Sequence, residues 1–372
     1  MMPIRILHVL GKLNRGGAET LVMNWYRNVD RSKIQFDFVI HTKEKCSYTD
    51  EILSMGGRIF SVPAYSGINH FQYCAAWNHF FKEHPEYKII HGHVRSTGVI
   101  YMSIAKRYGK IVIAHSHSMN SGTGIIGFVK KTMQYPIRYI ADYKWACSYD
   151  AGKYLFGKRQ IKRSNFKVVK NAIDLSLFTY NVSIRDKMRN ELGIRGKIVV
   201  GHVGRFIEEK NHVFLLDVFE EFLQLGIEAE LVLVGVGPLM QEIKKKTKEK
   251  GIDKSVIFLG ERSDVGEIMQ AFDVFVFPSI HEGLGNVAIE AQASGLPVLA
   301  SENVPMEAKI TDIMSFLSID NKNDVKKWSN KLTEIYKEKI LRNDTYDYMI
   351  KSGYEIKEAS KKLVEDYLKI LC

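Results

Sequence analysis

An α/β chain carrying two parallel sheets in succession is the fold class this sequence predicts, on three observations. Short β-branched runs alternate with longer helical patterns from the start, which is how βαβ units read in sequence. The alternation weakens once, for about twenty residues after Asn171-Ala172-Ile173-Asp174, and then restarts with the same grammar. The 372 residues also suit two domains at roughly 150 residues each.

In chain order, the first strand is expected at residues 4–10, followed by a helix over 18–29 that opens after Gly16-Gly17. Strands follow at 36–40 and 58–62, then an aromatic-rich helix over 71–82, then strands at 87–91, 111–114, 143–146 and 167–169. The weak stretch is the expected boundary, giving a first Rossmann-like domain of 1–175 and a second of 176–350. The second series of strands is expected at 197–203, 230–234, 256–259, 274–277, 298–300 and 315–317, with helices over 213–224 and 238–250. Trp328, Leu332, Ile335, Tyr336, Leu363, Tyr367, Leu368 and Leu371 stand at helical spacing and read as packing residues. The closing segment 351–372 is expected to be a helix returning to the N-terminal domain. Two Rossmann-like halves facing across a cleft place ligands outside the carboxyl ends of their strands.

Composition removes several classes. With 45% hydrophobic and 26% charged residues, the chain has enough apolar material for packed cores, and 28 Gly against 8 Pro without low-complexity tracts exclude collagen-like or linker-like chains. Cys46, Cys74, Cys147 and Cys372 form no CxxC pair and no Cys/His cluster at zinc spacing, which fits a reducing compartment. The N-terminus lacks the apolar core of a signal peptide, and nothing approaches the ~18 consecutive apolar residues of a spanning helix. A cytoplasmic protein is expected, peripheral on the inner face of the cell membrane. The net charge of +11 is unevenly spread: residues 1–170 carry 26 basic and 10 acidic side chains, a balance of +16, and the remainder is −5. A basic first half implies an anionic membrane surface or polyanion as neighbour, or simply a solvated basic face. Nucleic acid is not expected, because no recognition helix, RNP-like aromatic strand or zinc motif accompanies the charge.

Three segments carry candidate chemistry. Gly16-Gly17-Ala18-Glu19 lies between the first strand and its helix, where glycines let backbone approach a phosphate or sugar and the helix N-terminus offers N–H groups. It is not a dinucleotide fingerprint: GxGxxG is incomplete, and Val39-Ile40-His41-Thr42 stands where the ribose-binding acid would be. That argues against an oxidoreductase. Gly204-Arg205 and Lys210 follow the first strand of the second domain and put two cations on one loop, suited to a diphosphate that gains charge as it leaves. The strongest segment runs from Phe277 to Ala291. A strand ends at Pro278, a loop carries Glu282 and Gly283-Leu284-Gly285-Asn286, and a helix carries Glu290. Two carboxylates eight positions apart can each accept hydrogen bonds from hydroxyls on different parts of one ligand.

Glu282 and Glu290 resemble the E-x7-E pattern of the retaining glycosyltransferases of family 4, also called group 1, which have the GT-B fold. The resemblance extends in order through Gly16-Gly17, Gly204-Arg205 with Lys210, Val234-Gly235-Val236-Gly237-Pro238, and Ala293-Ser294-Gly295-Leu296-Pro297-Val298. It implies that Arg205 and Lys210 bind the donor diphosphate, Glu290 the ribose, and that Glu282 lies near the donor sugar. Residues 283–286 would present N–H groups to sugar and phosphate, and residues 256–261 would flank the base. Two departures stand out: Lys170-Asn171-Ala172-Ile173-Asp174 lacks the family's junction glycine, and Lys210-Asn211 replaces Lys-Gly with a residue that tolerates left-handed angles.

His115-Ser116-His117-Ser118 lies where relatives carry a histidine beside the donor sugar. His117 is the first candidate for that contact and His115 the alternative. His91-Gly92-His93 ends the preceding strand, so the two HxH elements resemble a metal site, but no acidic third ligand is evident and there is no DxD; no metal is expected. The His-Ser-His segment looks most like the bacterial group that assembles capsular and exported polysaccharides. The implied activity is metal-independent transfer from a nucleotide diphosphate sugar, a UDP-sugar ahead of a GDP-sugar, to a glycan or lipid-linked acceptor, with no cofactor. An epimerase or phosphorylase on the same fold is the enzymatic alternative. Ile125, Ile126, Phe128, Val129, Met133, Tyr135 and Ile137 among Lys130, Lys131 and Arg138 are the expected membrane-facing residues.

Overall fold

The computed structural model describes residues 3–117, 124–321, 323–338, 342 and 344–371, and of Ile126 the backbone alone. Ser118 and the Ile126 side chain therefore lie outside the described residues. The chain divides into two compact units, residues 1–173 with 353–372, and residues 174–352.

Unit one holds a sheet of strands β1 (Ile4–Val9), β2 (Ile34–Ile40), β3 (Ile59–Ser61), β4 (Ile89–Gly92), β5 (Ile111–Ser116), β6 (Tyr143–Ala146) and β7 (Phe166–Val168), in the order β3-β2-β1-β4-β5-β6-β7. Every pairing is parallel. The order reverses between β1 and β4, which makes the ends of those strands a topological switch point. Sheet faces buried on both sides explain the near-continuous apolar runs: all seven positions of β2 are buried. Asp37 is the charged residue inside that run, and Gln35 the other polar one. Its carboxylate accepts from Arg5 Nε at 2.5 Å and Nη2 at 2.6 Å, from the Tyr87 hydroxyl at 2.7 Å and from the Arg58 N–H at 2.7 Å. The chain returns to this unit in the helix Ile356–Leu371, whose Ile356, Leu363, Val364 and Tyr367 join Trp25, Phe36 and Trp145 in one core cluster.

Unit two holds β8 (Ile198–Val203), β9 (Ala229–Val234), β10 (Val256–Gly260), β11 (Val274–Phe277), β12 (Val298–Ser301) and β13 (Met314–Leu317), in the order β10-β9-β8-β11-β12-β13, again parallel throughout. Here the switch point lies between β8 and β11. The thirteen strands are those expected, with ends shifted by a few residues. One helix escaped the periodicity: Val182–Glu191 fills the stretch read as weak, with Met188 its only buried residue. Its ends are set by polar chemistry, since the Asn181 side chain caps the Ser183 and Ile184 N–H groups while Arg185 and Arg189 both grip Asp273.

Candidate functional site

In unit two the loops leaving β8 and β11 sit side by side at the switch point, and they carry Arg205, Lys210 and Glu282. The Ile280 N–H donates to the Glu209 carbonyl at 2.8 Å, tying the loops together. Lys210 Nζ forms an ion pair with Glu282, their side chains 17% and 13% exposed, and lies 4.7 Å from the centre of the Phe277 ring. Arg205 is exposed and has no side-chain partner among the described residues. The turn between them is closed by Asn211 at φ 54°, the non-glycine residue with positive φ among the described residues, as the Lys-Asn departure anticipates.

Glycines let these loops close on one another. Gly235 has φ 133°, and a Cβ there would stand 2.1 Å from the Gly204 carbonyl oxygen; one on Gly237 would meet the Phe206 backbone at 2.5 Å. The Gly204 N–H donates to Val234 O and the Gly235 N–H to Gly260 O, so the ends of β8, β9 and β10 are stitched in sequence. That stitching brings Gly260 and Glu261, the end of the segment expected beside a base, to the same end of the sheet.

Gly285, at φ 86°, is the N-cap of the helix Asn286–Ala293. Leu284 is buried beneath the loop, while Gly283 and Asn286 are partly exposed. Glu290, one turn into the helix, has no carboxylate partner among the described residues, and burial pushes its pKa up to about 7. The unit thus gathers one exposed guanidinium, one paired ammonium and two carboxylates around a helix N-terminus. His202 and His212 are residues the sequence reading missed here. His202 donates from Nδ1 to Val276 O at 2.8 Å, and His212 stacks on Phe206 at 4.2 Å with both ring nitrogens unpartnered among the described residues. Both are buried in ordinary strand and helix positions, so no local motif marks them.

In unit one the turn at Gly16-Gly17 is less open than expected. A Cβ on Gly16 would meet the Glu19 carboxylate at 2.3 Å, so the chain's own anion lies over that helix start. The histidines are drawn together from three strands. In one row, the Tyr367 hydroxyl lies 2.6 Å from His91 Nδ1, and His91 Nε2 lies 3.1 Å from His115 Nδ1. In a second row, His8 Nδ1 lies 3.0 Å from His93 Nε2, and His93 Nδ1 lies 2.8 Å from His117 Nε2. The rows stack, His91 on His93 at 4.4 Å and His115 on His117 at 4.1 Å between ring centres. Burial holds all five rings neutral, with His8 and His117 lowered to about 3. His115 is fully buried, whereas His117 is partly exposed. A fifth histidine that the sequence reading did not single out, His8 of β1, joins the two HxH pairs.

The helix Gly124–Gln134 carries exposed Ile125, Phe128 and Val129 next to exposed Lys130 and Lys131. Tyr135 is also exposed, but Ile137 is buried, and Arg138 donates to Leu155 O while lying over the Tyr135 ring. The expected membrane-facing set loses those last two residues. Among the described residues no helix is long and apolar enough to cross a membrane.

Residues 184–355 match the family described as Glycosyl transferases group 1, and residues 15–177 match Glycosyltransferase Family 4. The chain is 39% identical over 305 residues to the putative glycosyltransferase EpsF of Bacillus subtilis (strain 168), covering 81% of this chain and 79% of that protein. It is 25% identical over 358 residues to the UDP-Gal:alpha-D-GlcNAc-diphosphoundecaprenol alpha-1,3-galactosyltransferase of Escherichia coli, covering 90% and 89%. The crystal structure of Anabaena Alr3699/HepE in complex with UDP superposes with a TM-score of 0.78 at 18% identity, covering 99% of this chain and 100% of that one, and shows the shared GT-B fold.

Proposed function

Because the chain belongs to the group 1, family 4 glycosyltransferases, we propose that it moves a sugar from a UDP-sugar to an acceptor hydroxyl on a lipid-linked glycan, with retention of configuration, in surface polysaccharide assembly. The observation that carries this reading is the grouping at the β8/β11 switch point: exposed Arg205 and the Lys210–Glu282 pair beside Glu290 and a helix N-terminus. As the bond from the sugar C1 to the donor phosphate oxygen breaks, negative charge grows on the diphosphate. In this reading Arg205, Lys210 and the loop of residues 283–286 take it up, a task a divalent ion performs elsewhere. Lys210 is held by Glu282 until a diphosphate competes for it. Glu282 is paired with Lys210 and Glu290 is assigned to the ribose, and the family resemblance implies attack from the face the leaving group departs, with the acceptor proton passing to a donor phosphate oxygen. The UDP-sugar reading draws on the UDP in the Anabaena structure and on the UDP-Gal named for the Escherichia coli relative. Of the two histidines the resemblance leaves open, partly exposed His117 is the one a sugar reaches. The direct test is transfer from a radiolabelled UDP-sugar to a lipid-diphosphate glycan, with the product anomer read by NMR; UDP release without a glycoside product, or inversion, overturns the reading.

Glu290→Ala is expected to weaken UDP binding about ten- to hundredfold, since a hydrogen bond to a charged group contributes about 1.5–3 kcal/mol. The carboxylate is the accepting form, so affinity should rise with pH up to about 7 and level off above it, and Glu290→Gln should flatten that profile. Calorimetry showing equal affinity for wild type and Glu290→Ala counts against the ribose role.

A lipid-linked acceptor of the kind named for the Escherichia coli relative would require this enzyme to work at a membrane surface. Ile125, Phe128 and Val129 supply apolar surface, and Lys130 and Lys131 each contribute about 1 kcal/mol near anionic lipid. Liposome flotation is expected to require anionic lipid, to weaken with salt, and to fall in the Lys130→Ser/Lys131→Ser double variant. Wild-type protein that stays in solution with anionic vesicles at low salt makes a soluble acceptor the better assignment.

A further inference from the structure

Four buried histidines of unit one, His8, His91, His93 and His115, and the partly exposed His117 lie at the carboxyl ends of β1, β4 and β5, around that unit's own switch point, and glycosyl transfer as proposed above uses only one of the five. Hydrogen bonding leaves the array incomplete. A neutral imidazole has one N–H and one lone pair. In the row His8–His93–His117 each bond consumes one of each, so the two end nitrogens must keep one N–H and one lone pair, whichever way the tautomers run. Those ends, His8 Nε2 and His117 Nδ1, are buried without a partner among the described residues, and so is His115 Nε2 at the end of the other row. Polar atoms in such a place are the exception in folded proteins.

We propose that His93, His115 and His117 form a binding site for one divalent transition-metal ion. One ring nitrogen from each lies within 4.8 Å of the others. A tetrahedral ion with bonds of about 2.0–2.1 Å asks for nitrogens about 3.3 Å apart, which small ring rotations supply at the cost of the His93–His117 hydrogen bond. The surroundings already do what surrounds a metal-bound histidine: the far nitrogen of His115 is held by His91, which is held by the Tyr367 hydroxyl, and the far nitrogen of His93 is held by His8. The second possible triad, His8–His91–His93, is fully buried and has a single unpartnered nitrogen, so it is the weaker site. Partly exposed His117 gives the preferred triad an entry path.

The donor set selects the ion. Three neutral imidazoles suit Zn²⁺, Co²⁺, Ni²⁺ or Cu²⁺ and not Mg²⁺ or Ca²⁺. Arg95 opposes positive charge at His117, and an anion or hydroxide as the fourth ligand offsets that repulsion. An ion there and a direct contact from His117 to a sugar are alternative uses of one ring, and metal binding decides between them. The three histidines belong to unit one and the proposed diphosphate-binding residues to unit two.

The test uses full-length protein without a polyhistidine tag, stripped with chelator and titrated with Co²⁺ while visible absorption and heat are recorded. One Co²⁺ per chain is expected, with the d–d bands of a nitrogen-ligated ion, displaced by Zn²⁺. His93→Gln and His115→Gln should each weaken binding at least tenfold, and His41→Gln, outside the array, should not. Circular dichroism checks the variants. Should they fail to fold, imidazole NMR of the wild type decides, since Zn²⁺ must perturb His93, His115 and His117 together. Folded wild type that binds no Co²⁺ at micromolar concentration, binding unchanged in both array variants, or Zn²⁺ that leaves those three rings unperturbed overturns the proposal. Donor affinity measured on Glu290 variants is a separate readout, so either reading can fail alone.

Discussion

Turnover of Arg205→Ala at saturating donor is expected to fall about 10²- to 10³-fold, the loss seen when one preorganised donor to a developing oxyanion is removed. The structure makes this an unusually clean experiment. Arg205 is exposed and has no side-chain partner among the described residues, so its removal should leave stability within about 0.5 kcal/mol. A loss of turnover is then chemical. Donor affinity should change less than turnover, because charge on the diphosphate grows as the glycosidic bond breaks. Lys210→Ala should depress turnover comparably but is less clean, since it strands the Glu282 carboxylate at 13% exposure. Both variants retaining near-normal turnover would remove the diphosphate role. Activity should also be indifferent to added Mg²⁺, and a strict Mg²⁺ requirement would show that the cations are insufficient.

Asp37→Ala is expected to cost about 3–5 kcal/mol, the penalty for breaking a buried charge pair by removing one partner. Asp37 is fully buried in mid-strand and satisfies Arg5, the Tyr87 hydroxyl and the Arg58 N–H together. For a unit of this size the melting temperature should drop by about 6–20 °C. Asp37→Asn, which keeps an acceptor oxygen but not the charge, should lose less. A calorimetric shift under about 2 °C for the alanine variant would mean that the ion pair contributes little beyond what packing supplies.

The unit-two site was legible because its chemistry is local. Glu282, the glycine loop and Glu290 lie within nine consecutive residues, and Arg205, Lys210 and the left-handed Asn211 within seven. Strand-end loops carry ligands in such folds, so short segments could be read one at a time. What could not be read was the pairing of Lys210 with Glu282, which joins residues 72 apart. The helix Val182–Glu191 was missed because its polar face dominates its sequence and its anchors, Asp273 and the Gln270 carbonyl, lie more than eighty residues on. Gly16-Gly17 was read as open to a ligand, and Glu19 in the same helical turn lies over it.

By itself the sequence determined the α/β class, the thirteen strands and the segments from which the unit-two site is built. The class and the strands follow from periodicity and short-range steric rules, which act within a dozen residues, and the site segments were marked by their charged residues and glycines and by the family resemblance. Tertiary structure alone decided which strands became neighbours, and with that the fate of every buried polar group. His8 reads as one histidine in an apolar strand and Asp37 as an anomaly in another; parallel pairing of β1 with β2 and β4 sets His8 opposite Phe38 and His91, and Asp37 opposite Leu7. The helix Ile356–Leu371 then places the Tyr367 hydroxyl 2.6 Å from His91, 276 residues earlier in the chain. The physical reason is that a buried polar atom must find a partner wherever the fold can supply one, and local sequence carries no record of partners that distant.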